Sequence, residues 1–266
     1  MKFEATEISQ PLDIPKGIAL DPIAAHSGQT EQWMRLNGDL VVRNVRLARL
    51  LPYPAAAGIE KKNQAIVIAP GGGMIVLAMD HEGVSLAHKF SAMGYDTYVL
   101  QYRLNATPTD NAAFKTHCQQ FYSQLLSDGF GNAQTELQVD AAVIDLKLAL
   151  QEVQQRHADK EYKIHFLGFS AGAFIGREFL IRHSQDDTLF SVGMLYGDFT
   201  AMQLQTKTLP HLFAALANDD PLFSRKGLAI MDTWHAHQQD VELHFFRNGG
   251  HGFGDRIQNQ TADAWF

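Results

Sequence analysis

The sequence predicts an α/β fold in which a mostly parallel central sheet carries helices on both faces. Three observations predict it. Ala65-Ile66-Val67-Ile68-Ala69 is a continuous apolar run, as expected of a strand buried on both faces. Val84, Ala87, Phe90 and Ala92-Met93 then follow helical spacing, Gly94 stands where a helix-ending glycine belongs, and Tyr98-Val99-Leu100 with Tyr102 forms the next strand. Such a strand–helix–strand unit makes the sheet largely parallel and covered on both sides. Further on, a buried-strand pattern over Tyr162 to Leu167 runs straight into Gly168-Phe169-Ser170-Ala171-Gly172, and a helical pattern from Ala173 to Ser184 runs straight out.

The remaining elements follow in chain order. Residues 1–38 carry Pro11, Pro15 and Pro22 and little periodicity, which predicts an irregular N-terminal arm laid over the domain. Asp39 to Leu51 alternates in part and predicts an early, edge-side strand, closed by Pro52, Pro54 and Gly58. Residues 105–133 are broken by Thr107-Pro108, Thr109-Asp110 and Gly129-Phe130-Gly131. They read either as an excursion that caps or walls the active site or as a surface insertion with one short helix. From Glu136 to His157 runs an amphipathic helix with Leu137, Ala141, Ile144 and Leu148 on its apolar stripe. Ser191 to Tyr196, His211 to Leu216 and Val241 to Phe246 are strand candidates, and a helix is expected between Arg225 and His237. No internal repeat, low-complexity tract or flexible linker appears, so a single domain over residues 1–266 is expected.

The totals exclude several function classes. At 266 residues with 45% hydrophobic and 19% charged residues, the composition is that of an ordinary globular protein. The formal net charge of -7 argues against nucleic acid or an anionic membrane as partner. No window approaches the roughly 20 apolar residues that a membrane span needs, and Met1 to Glu7 has no apolar core of signal-peptide type. Cys118 is the only cysteine, which rules out an intramolecular disulfide and suits a reducing compartment. A soluble, cytoplasmic protein is the expectation.

Chemistry concentrates at strand ends. Gly168-Phe169-Ser170-Ala171-Gly172 fits G-x-S-x-G, a sharp strand-to-helix turn that lifts a serine hydroxyl above the sheet. The glycines are needed because a Cβ there would collide with neighbouring backbone. A serine hydroxyl is a poor nucleophile until a general base, itself oriented by a carboxylate, lies within reach. An acid and a histidine follow later strands in that order: Asp219-Asp220 after the strand candidate His211 to Leu216, and His251, flanked by glycines, after Val241 to Phe246. Asp220 is preferred as the acid because it directly precedes Pro221, which fixes the next turn; Asp219 remains the alternative. An oxyanion needs preorganised N–H donors. The candidates are Ala171, next to the serine, and Gly72 and Gly73 in the loop Gly71-Gly72-Gly73.

Other signals are weaker. Gly71-Gly72-Gly73 lacks the G-x-G-x-x-G spacing of a dinucleotide turn, and His81-Glu82 lacks a second histidine at H-E-x-x-H spacing. His235-Ala236-His237 would diverge on a helix. No cofactor and no metal is expected. Glu82 reads as a helix cap or as a support for the Gly-rich loop, and Cys118 as a buried, inert thiol.

The run Pro70-Gly71-Gly72-Gly73-Met74, Glu82-Gly83, Gly94-Tyr95 and Val99 to Leu104, with Gly168 to Gly172 and Gly249-Gly250-His251-Gly252-Phe253-Gly254, resembles the α/β-hydrolase esterases related to acetyl-xylan esterases and dienelactone hydrolases. The resemblance covers about residues 40–255. It implies a cofactor-free serine esterase with Ser170 as nucleophile, Asp220 as acid, His251 as base, Gly73 and Ala171 as oxyanion donors, and small acyl esters, acetylated sugars among them, as substrates. Pro70 departs from the family where many members carry histidine, and Phe223-Ser224 stand where Val-Pro is usual. The family closes on a long helix, whereas this sequence ends at Trp265-Phe266; a very short helix or a second subunit in a homodimer is expected on that face. The same triad could serve a prolyl-oligopeptidase-like peptidase, and a non-catalytic binding protein could retain the motifs. Glycosidase chemistry has no support, because Asp219 and Asp220 are adjacent and cannot flank a bond.

Overall fold

A computed structural model describes residues 4–21, 31–128, 139–158, 161–204, 208–223 and 226–266. Its twelve strands fall into two sheets. The larger is built from β2 (Ile18–Ala19), β5 (Arg49–Tyr53), β6 (Gln64–Ala69), β8 (Asp96–Gln101), β9 (Lys163–Phe169), β10 (Leu189–Leu195), β11 (His211–Ala217) and β12 (Val241–Phe246). Their spatial order is β2-β5-β8-β6-β9-β10-β11-β12, parallel from β8 to β12, with β5 and β2 antiparallel at one edge. The mostly parallel sheet expected from the sequence is therefore present. Val67, Ile68, Val99 and Leu100 are fully buried in its centre.

The order of strands decides where a site can form. From β6 the chain steps outward to β8 through α1 (Ser85–Ala92), then returns across the sheet to β9 through α3 (Val139–Arg156). From β9 it steps the other way to β10 through α4 (Ala171–Arg182). Right-handed crossovers in opposite directions put α1 and α4 on opposite faces. The reversal between β6 and β9 leaves a crevice above their C-terminal ends, the usual place for a ligand in an open α/β sheet. The loop at residues 70–73 follows β6, and Ser170 follows β9.

The described residues of 1–38 are not an irregular arm. β1 (Ala5–Ile8) and β3 (Gln32–Leu36) pair with β4 (Asp39–Arg43) and β7 (Val76–Ala78) in a second, antiparallel sheet ordered β1-β3-β4-β7. A two-residue turn, Asn37-Gly38, joins β3 to β4, and both residues have positive φ, 52° and 94°. That dipeptide is the strongest short-range hairpin signal. The expected strand from Asp39 to Leu51 is likewise two strands in different sheets, β4 and β5, separated at Asn44, where φ is 56°. Pro52 does not close β5 but lies within it. It is tolerated because β2 pairs only with Arg49 and Leu50, so β5 has an open side at Pro52.

Two further boundaries differ. Residues 111–128 form one long helix, α2 (Asn111–Asp128), while 129–133 lie outside the described residues. On α3 the buried apolar side chains are Val139, Ala142, Val143, Leu146, Ala149, Leu150 and Val153. The expected stripe lies roughly half a turn away, on nearly the opposite face: Ile144 is 49% exposed, and Leu137 lies outside the described residues. Asp145, at the margin of the buried face, is fully buried because Arg103 donates to it from both its backbone N–H (2.8 Å) and its guanidinium (2.9 Å). A short helix α5 (Ile230–Ala236) precedes β12, and the chain's last turn is the 3-10 segment Thr261–Trp265.

Candidate active site

Ser170 is the single residue between β9 and α4. Its backbone sits at φ 50°, ψ -112°, outside the regions an L-residue prefers. Such a conformation costs about 1–3 kcal/mol and persists only where its surroundings enforce it. Here the Ser170 N–H donates to Leu195 O on β10 (3.0 Å), and Ser170 O accepts from the Phe174 N–H (3.0 Å). The flanking glycines permit the turn. A Cβ on Gly168 would lie 2.7 Å from the Ala173 backbone, and one on Gly172 only 2.0 Å from Ala69 O.

The second contact carries a prediction. In a helix interior Gly→Ala gains up to about 1 kcal/mol from propensity, but forcing atoms into a filled backbone site costs about 1–3 kcal/mol or more. The clash is with backbone, which cannot swing aside, so the loss wins. Gly172→Ala is expected to lower the thermal midpoint by about 2–8 °C, at about 2–4 °C per kcal/mol of net loss for a chain of this size, read by differential scanning calorimetry. An unchanged midpoint would mean that β6 and α4 are less tightly apposed than described.

The residues expected to act together are brought together. Ser170 Oγ lies 2.8 Å from His251 Nε2, and His251 Nδ1 lies 2.9 Å from Asp220 Oδ2. Ser170 and Asp220 are buried and His251 is partly buried. The two aspartates divide the labour. Asp220 Oδ1 accepts the backbone N–H groups of Leu222 (2.8 Å) and Phe223 (3.3 Å), which leaves Oδ2 directed at the imidazole. Asp219 is exposed, and its Oδ1 accepts the N–H groups of Gly249 (3.0 Å) and Gly250 (2.8 Å). It ties down the loop that carries His251, a role the sequence did not mark.

The Gly-rich loop faces the serine. Gly72 and Gly73 have φ of 129° and 64° and line the same cleft as Ser170 and His251. A Cβ on Gly72 would stand 2.2 Å from Val76 O, and one on Gly73 2.6 Å from the Phe121 ring of α2. The Ala171 amide is the first of α4 and, as at any helix start, has no intrahelical acceptor. The loop is held at its entry from two sides. The Tyr102 hydroxyl donates to Pro70 O at 2.7 Å, and Glu82 Oε2 accepts the Gly71 N–H at 2.7 Å. Glu82 is thus a support for the loop and not a helix cap: its two oxygens take the Gly71 N–H and the Tyr196 hydroxyl, and no side-chain cap bond is made at the start of α1, the helix that follows it. Burial pushes its carboxyl up, but His81, the Tyr196 hydroxyl and the Gly71 amide together hold it below the usual carboxylate range.

The cleft has a volume of about 1070 Å³. Leu36, Val41 and Val76 line it from the small sheet, Tyr122 and Leu125 from α2, and Leu222 from the turn after Asp220. The N-terminal strands therefore wall the site, and so does the helix of the 105–133 stretch. Cys118 is buried on α2, where burial pushes its thiol up to about 12. Among the described residues no group of His, Cys, Asp or Glu converges as a metal would require, and no helix is long and apolar enough to cross a membrane.

No family model matches the sequence, and no curated protein matches it. Solved structures do resemble it in shape. Apo Thermogutta terrifontis esterase 2 superposes with a TM-score of 0.60 at 14% identity, over 96% of this chain and 91% of that one. MGS-M1, an α/β hydrolase enzyme from a Medee basin deep-sea metagenome library, gives 0.54 at 16% identity, over 94% and 84%. XC6422 from Xanthomonas campestris, a serine hydrolase without a lid, gives 0.53 at 12% identity, over 83% and 87%. At these identities the likeness speaks for architecture, and a fold does not by itself carry a function. With the strand order β2-β5-β8-β6-β9-β10-β11-β12, the elbow after β9 and these neighbours in agreement, the chain has the α/β-hydrolase fold.

Proposed function

We propose that this protein is a serine carboxylic-ester hydrolase working through a Ser170–His251–Asp220 triad. The observation that carries the reading is the unbroken chain from Ser170 Oγ to His251 Nε2 (2.8 Å) and from His251 Nδ1 to Asp220 Oδ2 (2.9 Å), at the rim of a cleft above the strand-order reversal. His251 Nε2 takes the hydroxyl proton as Oγ attacks the ester carbonyl. The amides of Gly73 and Ala171, with Gly72 beside them, receive the oxyanion. Asp220 holds the Nδ1–H tautomer and stabilises the imidazolium. The tetrahedral species collapses, and His251 returns the proton to the departing alkoxide, leaving an acyl-Ser170. Water then gives a proton to His251 as it attacks the acyl carbonyl; Ser170 leaves and recovers that proton.

Short-chain acyl esters are the proposed substrates, with acetylated sugars among them. The neighbours are consistent: T. terrifontis esterase 2 has been described phosphorylated by paraoxon and bound to propionate. The test is chemical. A fluorophosphonate probe should label Ser170 stoichiometrically, with the adduct found by peptide mass spectrometry. A panel of aryl acetates, butyrates and acetylated xylo-oligosaccharides, beside matched amides, should show ester turnover in excess. A protein that neither labels nor turns over any ester would refute the reading.

A further inference from the structure

Buried polar groups outside the triad meet between the two loops that frame Ser170. Glu82 Oε2 accepts the Gly71 N–H at 2.7 Å, and Glu82 Oε1 accepts the Tyr196 hydroxyl at 2.6 Å. The Tyr196 oxygen in turn accepts the Gly254 N–H at 3.1 Å. A continuous chain of hydrogen bonds thus runs from the Gly-rich loop after β6 to the loop that carries His251. Tyr196 follows β10 directly, at φ 37°, with its own N–H on Ala215 O of β11 (2.7 Å). Its ring packs edge-on against Phe253 (4.5 Å between centroids) and His251 (5.1 Å).

The direction of every bond in this chain is determined. An ionised carboxylate only accepts, so the Gly71 N–H and the Tyr196 O–H must both point at Glu82. The hydroxyl's lone pairs are then left for the Gly254 N–H. All the groups are buried, Tyr196 fully and Glu82 to 3% exposure, so water does not substitute for any of them. A glutamine at position 82 would break the pattern whichever way its amide turned. Its NH₂ would face either the Gly71 N–H, donor against donor, or the Tyr196 hydroxyl, whose hydrogen would lose its acceptor.

A triad chemistry needs its base and its oxyanion donors set together, to within about 0.5 Å. Here they sit on separate loops after β6 and β12, far apart in sequence. We propose that Glu82 and Tyr196 are positioning residues that hold the oxyanion loop and the histidine loop in one arrangement about Ser170. The proposal rests on the esterase reading above. It makes one buried carboxylate responsible for the relative placement of two halves of the machinery, neither of which it touches through a reacting atom.

Steady-state ester kinetics of Glu82→Gln, Tyr196→Phe and the double variant test it. A misplacement near 1 Å is worth about 10²-fold, so each single variant should lose about that in kcat. KM should stay within about threefold, since the loss falls on the transition state. The double variant should be no worse than the poorer single, because residues in one network do not act additively. Tyr196→Phe keeps the ring packing, so it remains a fair test even if Glu82→Gln fails to fold. A folded Tyr196→Phe enzyme with wild-type kcat, or single losses that multiply in the double variant, would overturn the positioning role while wild-type labelling at Ser170 leaves the esterase reading intact. A wild type that neither labels nor turns over ester overturns both.

Discussion

Ser170→Ala is expected to lower ester turnover by about 10⁶-fold, because removing a triad nucleophile costs about as much as removing the whole triad. What remains should be substrate binding and oxyanion stabilisation, worth about 10³–10⁴-fold over water in a comparable site. The fold should be indifferent. Alanine occupies φ 50° with the same strain as serine, and the backbone bonds to Leu195 and Phe174 do not involve the hydroxyl. The side-chain partner lost is His251 Nε2, at the edge of an open cleft where water can replace Oγ. The measurement is the steady-state rate on a p-nitrophenyl ester, with circular dichroism to show that the melting transition is unchanged. Hydrolysis that persists in Ser170→Ala at the wild-type rate would take Ser170 out of the reaction.

What could be read in the sequence was what is local. Each strand buried on both faces shows as an apolar run, so β6 and β11 are legible with their boundaries within a residue. The elbow was legible because its requirement is steric and sits within five residues, as the 2.0 Å contact a Cβ on Gly172 would make confirms. His251 and Asp220 could be ranked because strand ends are where an α/β sheet puts its chemistry.

Pairing between distant segments was not legible. The small sheet joins β4 to β7 across more than thirty residues, and no periodicity within Val76–Ala78 announces a strand so short. The helix stripe on α3 is the exception: its buried set, Val139, Ala142, Val143, Leu146, Ala149, Leu150 and Val153, follows the i, i+3, i+4, i+7 spacing and stands in the sequence beside the stripe expected. From the sequence Glu82 reads as a helix cap as readily as a loop support, since a carboxylate near a helix start is favoured there. Its true partners, the Gly71 amide and the Tyr196 hydroxyl, lie 11 and 114 residues away. Tyr196 carried no signal beyond ending a strand candidate. The proposed catalytic groups are thus marked by local steric demands, while the groups that hold them are marked only by tertiary contact.

Asp220 and Asp219 give the sharpest contrast between adjacent residues of one type. Asp220→Asn is expected to cost about 10⁴-fold in kcat, as in a triad whose aspartate is replaced by its amide. The reason is which atom meets the imidazole. The carboxylate offers Oδ1 to the Leu222 and Phe223 N–H groups and Oδ2 to His251 Nδ1. An asparagine must keep its oxygen on those two amides, so its NH₂ faces Nδ1. That stabilises the tautomer with its proton on Nε2, which cannot accept the Ser170 proton, and it leaves no charge to stabilise an imidazolium. Asp219→Asn should behave differently. Its Oδ1 receives the Gly249 and Gly250 N–H groups, an amide oxygen can accept both, and the residue is exposed, so kcat should stay within about threefold of wild type. Side-by-side kinetics of the two variants on one ester check the assignment. Equal losses would mean that the loop at 249–250 limits the reaction as much as the acid does, and a larger loss in Asp219→Asn would exchange the two roles.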